Sequence, residues 1–202
     1  MSPDELLARV RAEVTEDEPT ALARGRASGT VPPPGPEVGA LLRWLATGTG
    51  VRTAVEVGAA GGVSGLWLLP GMDPRGTLTS IESDRHAHGL ATEAFGAAGL
   101  AGRVRAIVGD PTVVLPRLSD GGYDLVLAQS PAPTLPVVVG HARRLLRPGG
   151  VLVVRGLLAD DGPAAPLTQL RRDLHEDTTL SVTVLPLDDG LLLATLRGDD
   201  QP

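Results

Sequence analysis

Cysteine, lysine and asparagine are absent from the 202 residues of this chain, and aromatic residues make up only 2% of it. Without cysteine there can be no disulfide, no thiolate metal site and no cysteine nucleophile. All 18 cationic side chains are arginines, so no lysine can serve as a general base. Because aromatic residues are so few, the core must be built from leucine, valine and alanine.

Charge and hydropathy narrow the class of protein further. The hydrophobic share of 42% and the charged share of 21% are typical of a soluble globular protein, and the length suits one domain. The net charge of −6 argues against nucleic acid as a partner, because nucleic-acid binders usually carry a basic face. No apolar run approaches membrane-spanning length, and the opening MSPDELLARV lacks the apolar core of a signal peptide. We therefore expect a cytoplasmic protein that binds neither nucleic acid nor membrane.

The N-terminal region is predicted to be helical. Apolar spacing indicates a helix over residues 4–27, with Asp4 as its N-cap, and a second helix from about Glu37 to Ala46. The stretch VPPPGP separates them, because proline removes backbone donors and fixes φ. We interpret residues 1–50 as a helical extension of the domain formed by residues 51–202.

The rest of the chain alternates between short apolar runs and helical patterns, which predicts an α/β fold. The carboxyl ends of its parallel strands should therefore share one edge of the sheet. A final pair of β-rich runs around Asp188-Asp189-Gly190 predicts an antiparallel hairpin. Strands are predicted at 53–57, 77–82, 103–108, 123–128 and 150–154, and helices at 62–70, 85–98, 112–118, 134–146 and near 164–176.

Three features at consecutive strand ends point to a ligand. In AVEVGAAGGVSGLWLL a strand ends at Glu56-Val57-Gly58 and a helix starts near Gly62, so the glycines either form a tight turn or cradle a ligand. Glu82 ends the next strand, where a carboxylate can accept both hydroxyls of a ribose. Asp110 ends the third strand, where it could receive an adenine amino group. Either acid alone could be a helix cap, but the combination favours a nucleoside.

Longer segments carry a family resemblance. VEVGAAGGVSGLWLLPGM, LTSIESD, YDLVL, RRLLRPGGVLVV and LPLDDGLLLA resemble the S-adenosylmethionine-dependent O-methyltransferases of the catechol and caffeoyl-CoA type. The resemblance implies a Rossmann-like class I methyltransferase fold, with a mostly parallel seven-stranded sheet, an antiparallel C-terminal hairpin strand and helices on both faces. It also suggests that the N-terminal helix and the proline stretch either close over the pocket or build a homodimer.

The same resemblance implies the cofactor residues for S-adenosylmethionine. Gly58 and Gly62 would lie beside the methionine part of the cofactor, and Ser64 corresponds to the family's serine in the following helix. Ala60 departs from the pattern, because many methyltransferases place another glycine there. The implied cofactor-binding set is Glu56, Gly58, Gly62, Ser64, Glu82 and Asp110.

The metal site of the resembled family is not conserved in this chain's residues. The family's fourth strand ends in an Asp-Ala-Asp-Lys-like segment, where this chain has Gln129-Ser130-Pro131-Ala132. The family's fifth strand supplies an Asp-Asn pair, where this chain has Arg155-Gly156. Magnesium prefers carboxylates and water in octahedral array, and a guanidinium would repel it. We therefore predict that no metal is bound.

A different arrangement must then serve the methyl acceptor. None of the four histidines is well placed as a general base: His86, His88, His141 and His175 all fit exposed or packed helix positions. An acidic acceptor could react by proximity alone, with Arg155 orienting its anion and Gln129 and Ser130 donating hydrogen bonds. Alternatively, Arg155 forms a structural ion pair with an acid such as Asp160 or Asp161.

Three functions remain open from the sequence. The first is a metal-independent O-methyltransferase acting on a small acceptor, for which an anion is one option. The second is a methyltransferase-fold protein that binds S-adenosylmethionine or S-adenosylhomocysteine without turnover, as a sensor or partner subunit. The third is a nicotinamide dehydrogenase, which would share the glycine loop (residues 58–62). The LRPGG segment and the terminal hairpin fit a dehydrogenase less well.

Overall fold

The computed structural model describes residues 2–29, 31–157 and 166–198. Its N-terminal region forms separate helices where apolar spacing predicts one helix over residues 4–27, so that prediction is wrong. Asp17 starts a new helix by accepting a hydrogen bond from the Thr20 N–H at 2.9 Å, and Pro19 has no N–H with which to continue an earlier one. Ser2, rather than Asp4, caps the first helix. The helices are α1 (Pro3–Glu13), α2 (Glu18–Arg26) and α3 (Pro36–Gly48).

A sheet of seven strands forms the centre of the fold, in the order β3-β2-β1-β4-β5-β7-β6. The first five strands of the chain are parallel, whereas β7 pairs antiparallel with both β5 and β6. The predicted sheet and its C-terminal hairpin are therefore confirmed. The strands are β1 (Thr53–Val57), β2 (Thr77–Glu82), β3 (Val104–Val108), β4 (Tyr123–Ala128), β5 (Leu146–Arg155), β6 (Leu180–Leu185) and β7 (Leu191–Leu196).

Helices cover both faces of the sheet, and alternate residues of the central strand β4 pack against opposite sets of helices. Leu125 and Leu127 pack into one core cluster with α3, α4 and α5, whereas Val126 and Ala128 pack into a second with α7 and α8. Side chains in a strand point to opposite faces, so a strand covered on both sides is apolar over most of its length. The remaining helices are α4 (Val63–Gly71), α5 (Arg85–Ala97), the short α6 (Pro111–Val114), α7 (Leu135–Leu145) and α8 (Pro166–Glu176).

The strand order reverses direction between β1 and β4. β1 leads through α4 to β2 on one side, and its other neighbour is β4. The Gln129 N–H donates to the Val57 carbonyl at 3.0 Å, so the ends of these two strands lie side by side. Ligands of open α/β sheets bind at such a point, outside the carboxyl ends of the strands.

None of the helices in the described ranges is both long and apolar enough to cross a membrane.

Candidate active site

A cleft of about 200 Å³ opens at the carboxyl edge of the sheet. Its floor comes from the residues at the ends of β1, β2, β3 and β4, and one wall comes from the segment that joins α2 to α3. Of the predicted site residues, the lining includes Gly58, Glu82, Asp110, Gln129 and Ser130. The wall contributes Ser28, Gly29 and Val31.

The glycine loop is shaped by close packing against its neighbours. Gly58 has φ +88°, and a Cβ on it would overlap the backbone carbonyl oxygen of Gln129. Gly62 has φ +91° and is the N-cap of α4, where a Cβ would lie 3.2 Å from the Ala91 Cα of α5. Gly58 lines the cleft, whereas Gly62 faces a helix. Ala60, the departure from the family pattern, also has a positive φ of 47°, a conformation that is costly for a residue with a Cβ.

Glu82 joins the end of β2 to the glycine loop. Its carboxylate accepts hydrogen bonds from the Ala59 N–H and the Asp84 N–H, each at 3.0 Å. The N-cap of α5 is Asp84, which accepts from the Ala87 N–H at 2.7 Å, so Glu82 is not that cap. The Ser83 hydroxyl also donates to the Glu82 carboxylate, at 3.5 Å. A carboxylate has about four acceptor positions, so about one of them is left for a ligand.

Asp110 lines the cleft and is also a helix cap. It accepts hydrogen bonds from the Thr112 N–H at 2.8 Å and the Thr112 hydroxyl at 2.7 Å, at the start of α6. These bonds lower the pKa of Asp110, because they stabilise its ionised form. The carboxylate thus stays charged at the cleft's edge.

Glu56 does not line the cleft but lies completely buried beneath the glycine loop. Its carboxyl accepts the hydroxyls of Ser80 at 2.6 Å and Ser64 at 2.7 Å. Desolvation raises the pKa of Glu56 to about 7, although both hydrogen bonds act in the opposite direction. The carboxyl therefore ties β1 to β2 and to the first turn of α4.

Gln129 continues this hydrogen-bond network toward the cleft. Its Oε1 accepts from Arg155 at 2.8 Å, and because arginine only donates, the amide oxygen must face that side. The Nε2 group then donates to the Gly58 carbonyl and, at 2.7 Å, to the Ser64 hydroxyl. The donors thus run in one direction from Arg155 through Gln129 and Ser64 to Glu56. Sequence reasoning identified these residues without showing that they form one chain.

Arg155 is buried, with 7% of its surface exposed, and its two terminal nitrogens face protein acceptors. One donates to Asp188 at 2.9 Å, and the other donates to Gln129 and, at 3.2 Å, to the Pro32 carbonyl. Burial lowers the pKa of Arg155, and the neighbouring Asp188 opposes that effect. The suggested partners Asp160 and Asp161 lie outside the described residues. Sequence reasoning missed Asp188 as a partner, because the Asp-Asp-Gly segment was interpreted only as a turn.

Ser130 offers a hydroxyl without a protein partner. Within the described ranges its Oγ is buried and makes no hydrogen bond, and the residue lines the cleft. No histidine belongs to the lining. Ser130 therefore brings to the cleft a buried hydroxyl that is free to bond a ligand.

The residues at the family's metal positions do not fit a divalent hard cation. The Gln129 Oε1 already accepts from Arg155, and a guanidinium in that position opposes a cation. In the part of the chain that the structure describes, no group of three or more histidine, cysteine, aspartate or glutamate side chains could hold a metal. The absence of a metal from the reaction stays a prediction.

Comparisons with known proteins agree on one family. The family model described as O-methyltransferase matches residues 33–197. A curated relative from Mycolicibacterium vanbaalenii, which carries an O-methyltransferase name, is 43% identical over 90% of this chain and 85% of its own length. The crystal structure of a Corynebacterium glutamicum protein is similar over 100% of both chains, with TM-score 0.86 and 31% identity. The O-methyltransferase TomG from Streptomyces achromogenes, involved in tomaymycin synthesis and solved with S-adenosylmethionine, has TM-score 0.80 and 28% identity over 98% of this chain and 100% of its own.

Proposed function

We propose that this chain, which belongs to the O-methyltransferase family, transfers the methyl group of S-adenosylmethionine to an oxygen of a small-molecule acceptor. One observation carries the proposal: Gly58, Glu82 and Asp110 stand at consecutive strand ends and line one cleft. That TomG, whose fold is shared over nearly the whole chain, was solved with S-adenosylmethionine supports the choice of cofactor.

The cofactor residues divide into those that touch the ligand and those that support them. We assign the ribose hydroxyls to Glu82 and the adenine end to Asp110, both of which line the cleft. The Gly58 segment borders the methionine part. Ser64, Glu56 and Gly62 act one layer below, because they hold α4 and the loop in place. When bound, the cofactor supplies a methyl group on a sulfonium, which is a good leaving group.

The acceptor end of the cleft is formed by Gln129 and Ser130. The unpartnered Ser130 hydroxyl supports a hydrogen bond to the acceptor. Arg155 contributes through Gln129, because its terminal nitrogens already donate to protein oxygens. With no lysine in the chain, we infer an acidic acceptor, such as a carboxylate or an acidic phenol, whose reaction relies on in-line positioning. We also infer that transfer needs no metal.

The test is a methyl-transfer assay with S-adenosylmethionine labelled in its methyl group. A panel of carboxylates and acidic phenols is offered with EDTA, with added magnesium and with neither. We expect label in at least one acceptor and equal rates in all three conditions. Activity that a chelator abolishes and magnesium restores would contradict metal independence.

A binding protein without turnover is the second candidate function. The hydrogen bond between Arg155 and Gln129 favours this function, because these two residues occupy positions where the resembled enzymes have metal ligands. Tight binding of S-adenosylhomocysteine together with no transfer to any acceptor of the panel would select this function.

Further expectations accompany the proposal. A cytoplasmic location, a homodimer, and the division into an extension over residues 1–50 and a domain over residues 51–202 stay predictions. The family model, which begins at residue 33, includes α3.

A further inference from the structure

Beyond Val31, the wall of the cleft continues into a segment that has almost no backbone donors of its own. Three consecutive prolines occupy positions 32–34, and another follows at position 36. Because proline has no N–H, the Gly35 N–H is the only backbone donor between residues 32 and 36. This proline segment, residues 31–36, joins the first turn of α3 only at its end, where the Gly39 N–H donates to the Gly35 carbonyl at 2.9 Å. Side chains hold the rest of it.

Side chains from two directions hold it. Arg24 of α2 donates to the Pro34 carbonyl at 2.6 Å and is itself paired with Glu16. From the sheet, Arg155 donates to the Pro32 carbonyl at 3.2 Å. The Gly35 N–H, for its part, donates to the Asp188 carboxylate at 3.1 and 3.3 Å.

Asp188 is the residue on which the sheet side of this arrangement depends. Its carboxylate accepts both the Gly35 N–H and the Arg155 guanidinium, which in turn holds the Pro32 carbonyl and the Gln129 amide. The contact with the segment is close, since a Cβ at Gly35 would lie 2.7 Å from the Asp188 Oδ1. One carboxylate of the β6–β7 hairpin thus connects the wall and the floor of the cleft.

We propose that Asp188 is a positioning residue that sets the affinity of the cleft for S-adenosylmethionine, by holding the proline segment and, through Arg155, the Gln129 amide. The inference rests on the proposed function, because it takes S-adenosylmethionine as the ligand. Asp188 lies more than 150 residues from Gly35 in sequence and is absent from the cleft lining. It acts through other residues and has no direct contact with the ligand.

The variant Asp188→Asn keeps the size of the side chain, removes its charge and replaces one acceptor oxygen with an amide donor. Asp188 has φ +47°, and asparagine tolerates that conformation, so the hairpin turn should be kept. The variant leaves Arg155 buried without its counter-charge. The double variant Arg155→Met/Asp188→Asn removes both charges and so avoids a penalty that could unfold the protein. Asp189→Asn, the same substitution one residue along, is the matched control.

Calorimetric titration with S-adenosylhomocysteine reports affinity without turnover. We expect Kd to rise about tenfold in Asp188→Asn and in the double variant, the change that corresponds to about 1.4 kcal/mol. The stoichiometry should stay that of the unmodified protein, and Asp189→Asn should bind like it. A variant that is merely less folded would instead lower the stoichiometry at unchanged Kd. Unchanged Kd in Asp188→Asn, or an equal loss in Asp189→Asn, would overturn the inference.

Hydrogen exchange of the Gly35 amide, measured by NMR without ligand, separates this inference from the proposed function. We expect exchange to be faster in Asp188→Asn and unchanged in Asp189→Asn. If the unmodified protein binds neither S-adenosylmethionine nor S-adenosylhomocysteine, the proposed function fails, while exchange at Gly35 still tests the positioning. Equal exchange in all variants would refute the role of Asp188 in holding the segment.

Discussion

Replacing Glu56 by glutamine should remove much of the protein's loss of stability between pH 5 and pH 8. Glu56 is completely buried, and desolvation raises its pKa from 4.5 to about 7 in the folded state. Glutamine stays neutral over this range, and its amide can accept one serine hydroxyl and donate to the other. The substitution therefore tests the titration while keeping the hydrogen-bond network.

The direction of the effect follows from the two pKa values. Below pH 4.5 the carboxyl is neutral in both states, so burial carries no charge penalty. Above pH 7 it is ionised in both, and the folded state bears the full cost of the buried charge. The stability is therefore complete at low pH and is lost as pH rises through 7. Linkage between pKa 4.5 and about 7 gives a loss of about 2.5 kcal/mol from pH 5 to pH 8.

The assay is urea denaturation at pH 5, 6, 7 and 8 at constant ionic strength. We expect the unmodified protein to lose about 2.5 kcal/mol more than Glu56→Gln over this range. The contributions of all groups that the two proteins share cancel in the difference between their free energies of unfolding. Glu93→Gln, the same substitution at an exposed position of α5, is the control and should keep the slope of the unmodified protein. Parallel stability curves for the unmodified protein and Glu56→Gln would refute the reasoning.

Three further substitutions test the loop and the cleft. Gly58→Ala places a Cβ against the Gln129 carbonyl at a positive φ. Urea denaturation should therefore show that the free energy of unfolding falls by at least about 3 kcal/mol. A fall of less than about 1 kcal/mol would argue against this close packing. Ala60 has a positive φ of 47°, which strains a residue with a Cβ and which glycine adopts freely. Ala60→Gly should therefore stabilise the protein by about 0.5–1 kcal/mol in thermal melts. Destabilisation would contradict the presence of strain at Ala60. Glu82→Gln keeps the size of the side chain but makes it a weaker acceptor for the ribose hydroxyls. Calorimetry should therefore show that the Kd for S-adenosylhomocysteine rises about tenfold or more. An unchanged Kd would mean that Glu82 does not bind the ribose.

The sheet could be predicted from the sequence because its signals are local. Strands buried on both faces are apolar over most of their length, and each parallel strand is separated from the next by a helical pattern. The ends of those strands also located Glu82 and Asp110, which both line the cleft. The division between α1 and α2 was missed, although Asp17 followed closely by Pro19 is a signal for a helix start.

The network behind the cleft could not be predicted in the same way. Gln129 and Arg155 stand out in the sequence because they replace family residues, but their mutual hydrogen bond depends on the pairing of β4 with β5. The contact of Asp188 with Gly35 joins residues from opposite ends of the chain. Periodicity reports which face of an element is buried and carries no information on such distant polar contacts.

Calorimetric titration of the unmodified protein with S-adenosylmethionine, with and without magnesium, is the decisive test of cofactor binding. We expect one site of micromolar affinity that magnesium does not change. If neither S-adenosylmethionine nor S-adenosylhomocysteine binds, the glycine loop is only a turn and the proposed function is wrong. Binding that requires magnesium would contradict the interpretation of Gln129 and Arg155.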